Sequence, residues 1–123
     1  MSPFEEDVRA FVALVTSGDS LGAIDRFYAD DVALRENYGE PRLGKAANRA
    51  HEAGMLAALA APLQIEARAV TCDAAAGVSM VEWCITFTVK GQPTRRLEEV
   101  AVQRWRDRRI VSERFYYEKM LEV

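Results

Sequence analysis

The sequence predicts one α+β domain, in which three N-terminal helices pack on one face of a curved antiparallel sheet. Helical periodicity dominates the first half of the chain, and β-branched and aromatic runs separated by turn residues dominate the second half. Helices followed by clustered strands are typical of α+β folds. A length of 123 residues fits a single domain spanning 1–123, and a hydrophobic content of 50% is sufficient for a core.

The helices are predicted from their capping residues and apolar spacing. The first begins at Ser2-Pro3-Phe4-Glu5, which has the pattern of a capping box with proline in the first turn, and ends at Gly18. A short second helix begins at Asp19 or Ser20. An alanine-rich stretch, 44–61, predicts the third helix, which ends before a proline.

Five strands complete the prediction. One short strand, 32–35, lies between the second and third helices, and four strands in a meander follow the third helix. The meander strands cover 63–72, 78–89, 94–106 and 109–118.

Strand alternation predicts which side chains face the helices. The inward set is Val81, Trp83, Ile85, Phe87, Glu99, Ala101, Gln103, Trp105, Val111, Glu113, Phe115 and Tyr117. Burying the polar members Glu99, Gln103 and Glu113 in a dry core is costly without partners. They therefore indicate either a hydrated or ligand-filled cavity or a structural network, for instance Gln103 with Tyr117 or Glu113 with an arginine.

The opposite face of the sheet is predicted to be partly apolar. Its apolar members are Cys84, Val100, Val102, Ile110 and Tyr116. A sheet face in contact with water is normally more polar. We therefore expect a homodimer that buries this outer face.

Composition limits the possible partners and sites. A net charge of −3 and a pI near 5.2 argue against nucleic acid, and no apolar run is long enough for a membrane span. The acidic N-terminus does not have the pattern of a signal peptide, so we expect a cytoplasmic protein with Cys72 and Cys84 reduced, with one disulfide as the alternative. A single histidine predicts no metal site. The arginine-rich stretch 104–109 predicts a solvated strand end, or alternatively an anion or partner site.

Three segments carry a family resemblance. Phe27-Tyr28-Ala29-Asp30-Asp31-Val32, the helix entry Pro41-Arg42-x-Gly44 and the hairpin Trp105-Arg106-Asp107-x-x-Ile110-Val111 resemble SnoaL-like domains of the NTF2-like superfamily. The resemblance covers nearly the whole chain. It implies a cone in which the helices and sheet enclose an apolar pocket. The sequence has no metal-ligand set and no glycine-rich phosphate loop, so no cofactor is expected. The ending Glu113-Arg114-Phe115-Tyr116-Tyr117 is similar to a subgroup with no assigned activity.

Ketosteroid isomerases are relatives by this resemblance, and the comparison implies site residues. Glu36, seven residues after Ala29, occupies the position of their catalytic base. Phe11 stands where they have a tyrosine donor, and their acidic donor falls near Glu99 or Ala101. Because Phe11 cannot donate a hydrogen bond, ketosteroid isomerase activity is not expected.

The predicted function is binding of a small, largely apolar organic molecule, with cofactor-independent proton transfer of isomerase, cyclase or dehydratase type. Glu36 is the predicted base and His51 its partner acid or orienter. The predicted ligand contacts are Tyr38, Trp83, Glu99, Gln103, Trp105 and Tyr117. Alternatively, Glu36 bonds a rim turn and His51 lies on the helix surface. The chain is then a non-catalytic dimeric module for ligand binding or protein interaction.

Overall fold

The predicted order of elements is confirmed by the computed structural model, which describes residues 1–123. The helices are α1 (Pro3–Thr16), α2 (Ser20–Phe27) and α3 (Lys45–Ala57). The strands are β1 (Tyr28–Glu36), β2 (Arg42–Leu43), β3 (Gln64–Asp73), β4 (Val78–Phe87), β5 (Arg95–Arg106), β6 (Arg109–Tyr116) and β7 (Leu121–Glu122). Two short strands, β2 and β7, were not predicted. No helix is long and apolar enough to cross a membrane.

The seven strands form one open sheet in the order β2-β1-β6-β5-β4-β3, with β7 added beside β5. The predicted meander from β3 to β6 is confirmed, and its pairs are antiparallel. The expectation of a wholly antiparallel sheet is wrong, because β1 pairs with β6 in parallel. A parallel pair requires a long connection. Here α3 and four strands lie between β1 and β6 along the chain.

The helix ends follow from side-chain caps and local hydrogen bonds. Ser2 Oγ accepts a hydrogen bond from Glu5 N at 3.1 Å, so the predicted first cap is confirmed. Asp19 caps α2 by accepting from Gly22 N at 2.9 Å. The third helix ends at Ala57 rather than at residue 61. It stops because Ala60 N donates instead to Thr88 O, at 2.8 Å, beyond the end of β4.

The core lies between α1, α2 and the inward face of the sheet. Trp105 is its centre, since the ring makes edge contacts with Phe4, Phe11 and Phe27 at centroid distances of 5.7–6.0 Å. Such aromatic contacts add to the free energy gained by apolar burial. The β5–β6 hairpin is also attached to α1, because Arg108 donates two hydrogen bonds to the buried Asp7 carboxylate, each 3.0 Å long.

The predicted inward face is confirmed for β4 and β5, but not for the start of β6. Glu99, Ala101, Gln103 and Trp105 are all buried. Ile110 was expected on the outer face and is instead completely buried in the core. The pairing of β5 with β6 shifts by one position between Arg104 and Trp105, which turns Ile110 inward beside Trp105.

Candidate functional site

A chain of buried hydrogen bonds crosses the inward face of the sheet. Trp105 Nε1 donates to Ser79 Oγ at 2.9 Å, and Ser79 Oγ donates to Gln103 Oε1 at 2.7 Å. Gln103 Nε2 then donates to Glu113 Oε2 at 2.7 Å. The chain ends where the Tyr28 hydroxyl donates to Glu113 Oε1.

A structural network was one of the two alternatives expected for the polar inward residues. This chain of hydrogen bonds is such a network, but its partners differ from those expected. Gln103 bonds Ser79 and Glu113 rather than Tyr117, and Glu113 bonds Tyr28 and Gln103 rather than an arginine. Strands β1, β4, β5 and β6 are thereby fixed relative to one another, at the point where β1 follows α2. Since both Glu113 oxygens have donors, Glu113 is held rigidly in place.

The environment of Glu113 favours its protonated form. Burial raises the pKa of Glu113 to about 7, although the hydrogen bonds from Tyr28 and Gln103 act in the opposite direction. The nearby Glu52 carboxylate contributes to the increase. Burial and the Glu113 carboxylate also raise the pKa of Tyr28 well above its usual value, so Tyr28 stays a hydrogen-bond donor.

Glu99 differs from Glu113 because its carboxyl group has no hydrogen-bond partner. Only 7% of Glu99 is exposed, and burial, with the nearby Glu113 and Glu36 carboxylates, raises its pKa to about 8. Arg96 Nε, which lies 3.3 Å from Glu98, is the only fully enclosed side-chain polar atom without a hydrogen bond, so the unbonded Glu99 oxygens keep some exposed surface. At neutral pH Glu99 is therefore mostly a neutral acid.

Glu36 and Tyr117 lie close to Glu99. Glu36 ends β1 and is exposed. Burial, followed by the Glu36 and Glu99 carboxylates, raises the pKa of the Tyr117 hydroxyl. The hydroxyl approaches Glu36 without forming a short hydrogen bond. The backbone of Tyr117 is fixed, because Tyr117 N donates a hydrogen bond to Asn37 Oδ1 at 3.0 Å. We call Glu36, Glu99 and Tyr117 the acid group.

Two predicted ligand contacts lie inside the protein. Trp83 is buried and pairs with Glu99 across β4 and β5, so it forms an apolar wall beside the acid group. Trp105 is part of the aromatic core under α1 and α2, and we therefore correct its assignment from ligand contact to core residue. Strand alternation correctly predicts that both indole rings face inward. It does not distinguish a core residue from a ligand contact.

Two predicted site residues lie outside the acid group. His51 is exposed on α3 and forms no hydrogen bond with Glu36, so the expected pairing of these residues is wrong. His51 faces solvent because the adjacent Glu52 lies on the inward side of α3. There Glu52 accepts a hydrogen bond from Ser20 Oγ at 2.8 Å. Tyr38 is 89% exposed and its ring stacks near the Arg114 guanidinium, which belongs to the outer face.

Sequence reasoning did not identify Tyr28 or Ser79 as parts of this region. Tyr28 lies within the segment 27–32 that carries the family resemblance. A tyrosine at the end of an apolar helix face is a signal for a buried hydroxyl group that needs a hydrogen-bond partner. Ser79 carried a weaker signal, since it shares strand parity with the inward residues Val81 and Trp83. For Glu52 the signal was the resemblance, which implies that Glu52 and His51 stand where the relatives carry pocket aromatics, with a solvated charge as the alternative.

Two cavities of the structure lie elsewhere. One, of about 240 Å³, lies on the outer sheet face, and the second lies among Asp7, Arg26 and the β5–β6 turn. Neither is lined by Glu99, so an enclosed apolar pocket at the acid group stays a prediction. No group of three or more His, Cys, Asp or Glu side chains is arranged to hold a metal ion.

Solved structures show the same fold. A candidate SnoaL-like polyketide cyclase from Mesorhizobium loti is 24% identical, with a TM-score of 0.77, covering 95% of this chain and 100% of that one. A candidate polyketide cyclase from Xanthomonas campestris is also 24% identical, with a TM-score of 0.73 and coverages of 94% and 90%. The epoxide hydrolase/cyclase-like enzyme SalBIII, with a role in pyran ring formation in salinomycin, is 17% identical, with a TM-score of 0.79 and coverages of 98% and 95%.

These identities are low, so the structural likeness concerns the fold. No curated protein matches the chain. The sequence itself matches the SnoaL-like domain family over residues 8–113, which is most of its length. That match includes the elements that carry Glu36, Glu99 and Glu113. The chain therefore belongs to the SnoaL-like domain family, with the NTF2-like fold.

Proposed function

We propose that this protein binds a small, largely apolar organic molecule at the acid group and transfers a proton without a cofactor. The observation that carries the proposal is Glu99. It is a buried, mostly neutral carboxyl group without an internal partner, beside the exposed carboxylate of Glu36. A carboxyl group held in this form is suited to donate a hydrogen bond to a ligand. The cyclase names of the structural relatives fit the same reaction class.

The proposed step uses a ligand with an acidic C–H beside a carbonyl group. Glu36 removes the proton, the C–H electron pair forms a new C=C bond, and the π pair of the C=O bond moves onto the carbonyl oxygen. Glu99 stabilises that oxyanion by donating its hydrogen bond, and Tyr117 is a second donor. Glu36 then returns the proton to a different carbon atom or to the same one. Trp83 supplies apolar contact beside the ligand.

Hydrogen–deuterium exchange in D₂O tests this proposal. Proton NMR measures how fast the protein exchanges the acidic C–H of each member of a panel of small cyclic ketones and β-diketones. Glu36→Gln should lower the exchange rate by roughly 100-fold or more, because the general base is lost. Glu99→Ala should have an effect of the same order, whereas Glu99→Gln, which keeps an N–H donor, should lose less.

Glu82→Gln is the matched control, since Glu82 is an exposed carboxylate on β4 outside the acid group. It should leave the rate unchanged. An exchange rate in Glu36→Gln equal to that of the parent protein contradicts the proposed base. Equal losses in Glu99→Ala and Glu99→Gln contradict the proposed donor role.

A second candidate function is a non-catalytic dimeric module, which the outer face of the sheet favours. Val100 and Tyr116 pair across β5 and β6 there and are 40% and 45% exposed. Exposed apolar side chains that lie together favour contact with another protein surface. A homodimer through this face is compatible with either candidate function.

Native mass spectrometry tests the dimer and detects any retained ligand. We expect a dimer for the parent protein and a shift to monomer for Val100→Asp, because a carboxylate would be buried in the interface. Val123→Asp is the control, since Val123 is 69% exposed near the end of β7. A parent protein that is monomeric at micromolar concentration argues against the dimer and against this second function.

A further inference from the structure

Three arginines surround the cavity on the outer face of the sheet. We call it the outer arginine cavity and define it by Arg35, Arg104, Arg114, Ser112, Pro41 and Tyr116. Its volume is about 240 Å³, which is enough for a small molecule or ion with its water. It lies on the opposite side of the sheet from the acid group, because Arg104 and Arg114 alternate with the inward residues Gln103 and Glu113.

Strand pairing brings the arginines together. Arg35 of β1 pairs with Arg114 of β6, and Arg104 of β5 pairs with Ser112, two residues before Arg114. All three side chains therefore start from neighbouring positions on three adjacent strands. Like charges at such positions repel one another unless an anion compensates them.

Two of the guanidinium groups are held in place with donors left free. Arg35 Nε donates to Gly39 O and Arg114 Nε donates to Asn37 O, each at 3.0 Å. The Arg114 guanidinium carbon also lies over the rings of Tyr38 and Tyr116, at 5.3 and 4.7 Å from their centroids. The Nη groups of Arg35 and Arg114 form no hydrogen bond within the chain. Guanidinium groups fixed in this way lose little freedom when they bind an anion.

No carboxylate compensates these charges. Arg35, Arg104 and Arg114 form no salt bridge, whereas Arg68 elsewhere on the outer face lies 3.1 Å from Glu98. Glu113 borders the cavity, but its carboxyl oxygens bind Tyr28 and Gln103 on the inner side. The absence of a partner is notable in a chain whose net charge is −3.

We propose that the outer arginine cavity binds a free oxyanion, either phosphate or the carboxylate of a small organic acid. Planar guanidinium donors match the geometry of both groups and form short, charge-assisted hydrogen bonds with them. Ser112 supplies a hydroxyl group at the same place, and Tyr116 supplies an apolar edge for the organic part of an acid. This site is separate from the proposed proton-transfer site and does not depend on it.

Calorimetric titration of the protein with inorganic phosphate and with succinate tests the site, at constant ionic strength set with sodium chloride. Arg104→Gln is the main variant, because the Arg104 side chain makes no hydrogen bond in the fold and its loss should leave folding intact. We expect it to weaken binding of either oxyanion about tenfold. Arg106→Gln is the matched control, since Arg106 is an exposed arginine on β5 outside the cavity lining.

The outcomes distinguish a bound free oxyanion from general charge attraction and from a second copy of the chain. Binding that is weakened in Arg104→Gln and unchanged in Arg106→Gln supports the proposal. Equal weakening in both variants shows general charge attraction and overturns it, as does a parent protein that binds neither oxyanion. Native mass spectra of the same samples complete the test. If Arg104→Gln dissociates a dimer while oxyanions bind to neither form, carboxylates of a second copy occupy the cavity and the proposal is wrong.

Discussion

Trp105→Ala is expected to lower the free energy of unfolding by about 3–5 kcal/mol, the usual cost of truncating a large buried aromatic residue. Trp105 contacts three aromatic rings from α1 and α2, and its Nε1 donates to Ser79. The truncation would remove the contact between helices and sheet and leave Ser79 with one partner fewer. Urea denaturation followed by circular dichroism at neutral pH measures the change.

Trp105→Phe separates packing from hydrogen bonding. It keeps an aromatic ring in the core but loses the hydrogen bond to Ser79, so we expect a smaller loss of about 1–2 kcal/mol. A Trp105→Ala protein as stable as the parent would show that the aromatic cluster does not hold the helices to the sheet. Equal losses in the two variants would instead assign most of the effect to the hydrogen bond.

Glu99→Gln is expected to stabilise the protein at alkaline pH and to have little effect on stability in acid. The pKa of Glu99 rises from 4.5 to about 8 on folding, so the folded state holds a proton that the unfolded state has released in this interval. The contribution of Glu99 to the free energy of unfolding is therefore fully present below pH 4.5 and is lost as the pH rises towards 8. A shift of this size corresponds to roughly 5 kcal/mol, and glutamine removes the penalty because it does not ionise.

Urea denaturation at a series of pH values across this interval measures the prediction. The difference between Glu99→Gln and the parent should increase with pH and level off above the pKa of Glu99. Glu113 has a pKa raised to about 7, so the variant keeps a smaller pH dependence of the same sign. Glu82→Gln serves as the control, as an exposed glutamate on the neighbouring strand. Parallel curves for Glu99→Gln and the parent would show that Glu99 is ionised in the folded protein at neutral pH.

Much of the fold could be predicted because its local signals are strong. Ser2 and the residues after it specify the start of α1, and the alternation in β4 and β5 identifies the inward side chains correctly. The parallel pairing of β1 with β6 could not be predicted, because the partner strands are separated by most of the chain and carry no local sign of direction. Ile110 was misplaced for a similar reason. A shift of one position in the pairing of β5 and β6 reverses the direction of its side chain.

The site was predictable only as a set of polar inward residues. Glu99, Gln103 and Glu113 follow from strand parity, but their different roles depend on partners that parity does not show. Glu113 is held by Tyr28 and Gln103, while Glu99 has no partner. His51 was selected because it is the only histidine, and its chemistry alone does not determine which side of α3 it occupies. The direction of a helix side chain depends on how the helix packs.

The parallel pair of β1 and β6 also affects how the protein folds during synthesis. β1 has only the two-residue β2 on its other side, so its one long neighbour is a strand translated roughly eighty residues later. Until residue 116 has left the ribosome, the amide and carbonyl groups on that side of β1 have no strand to bond. Closing so long a loop is slow, and an unpaired edge can associate with other chains. The emerging chain is thus most exposed to aggregation just before its last long strand arrives, when a chaperone that covers β1 would help most.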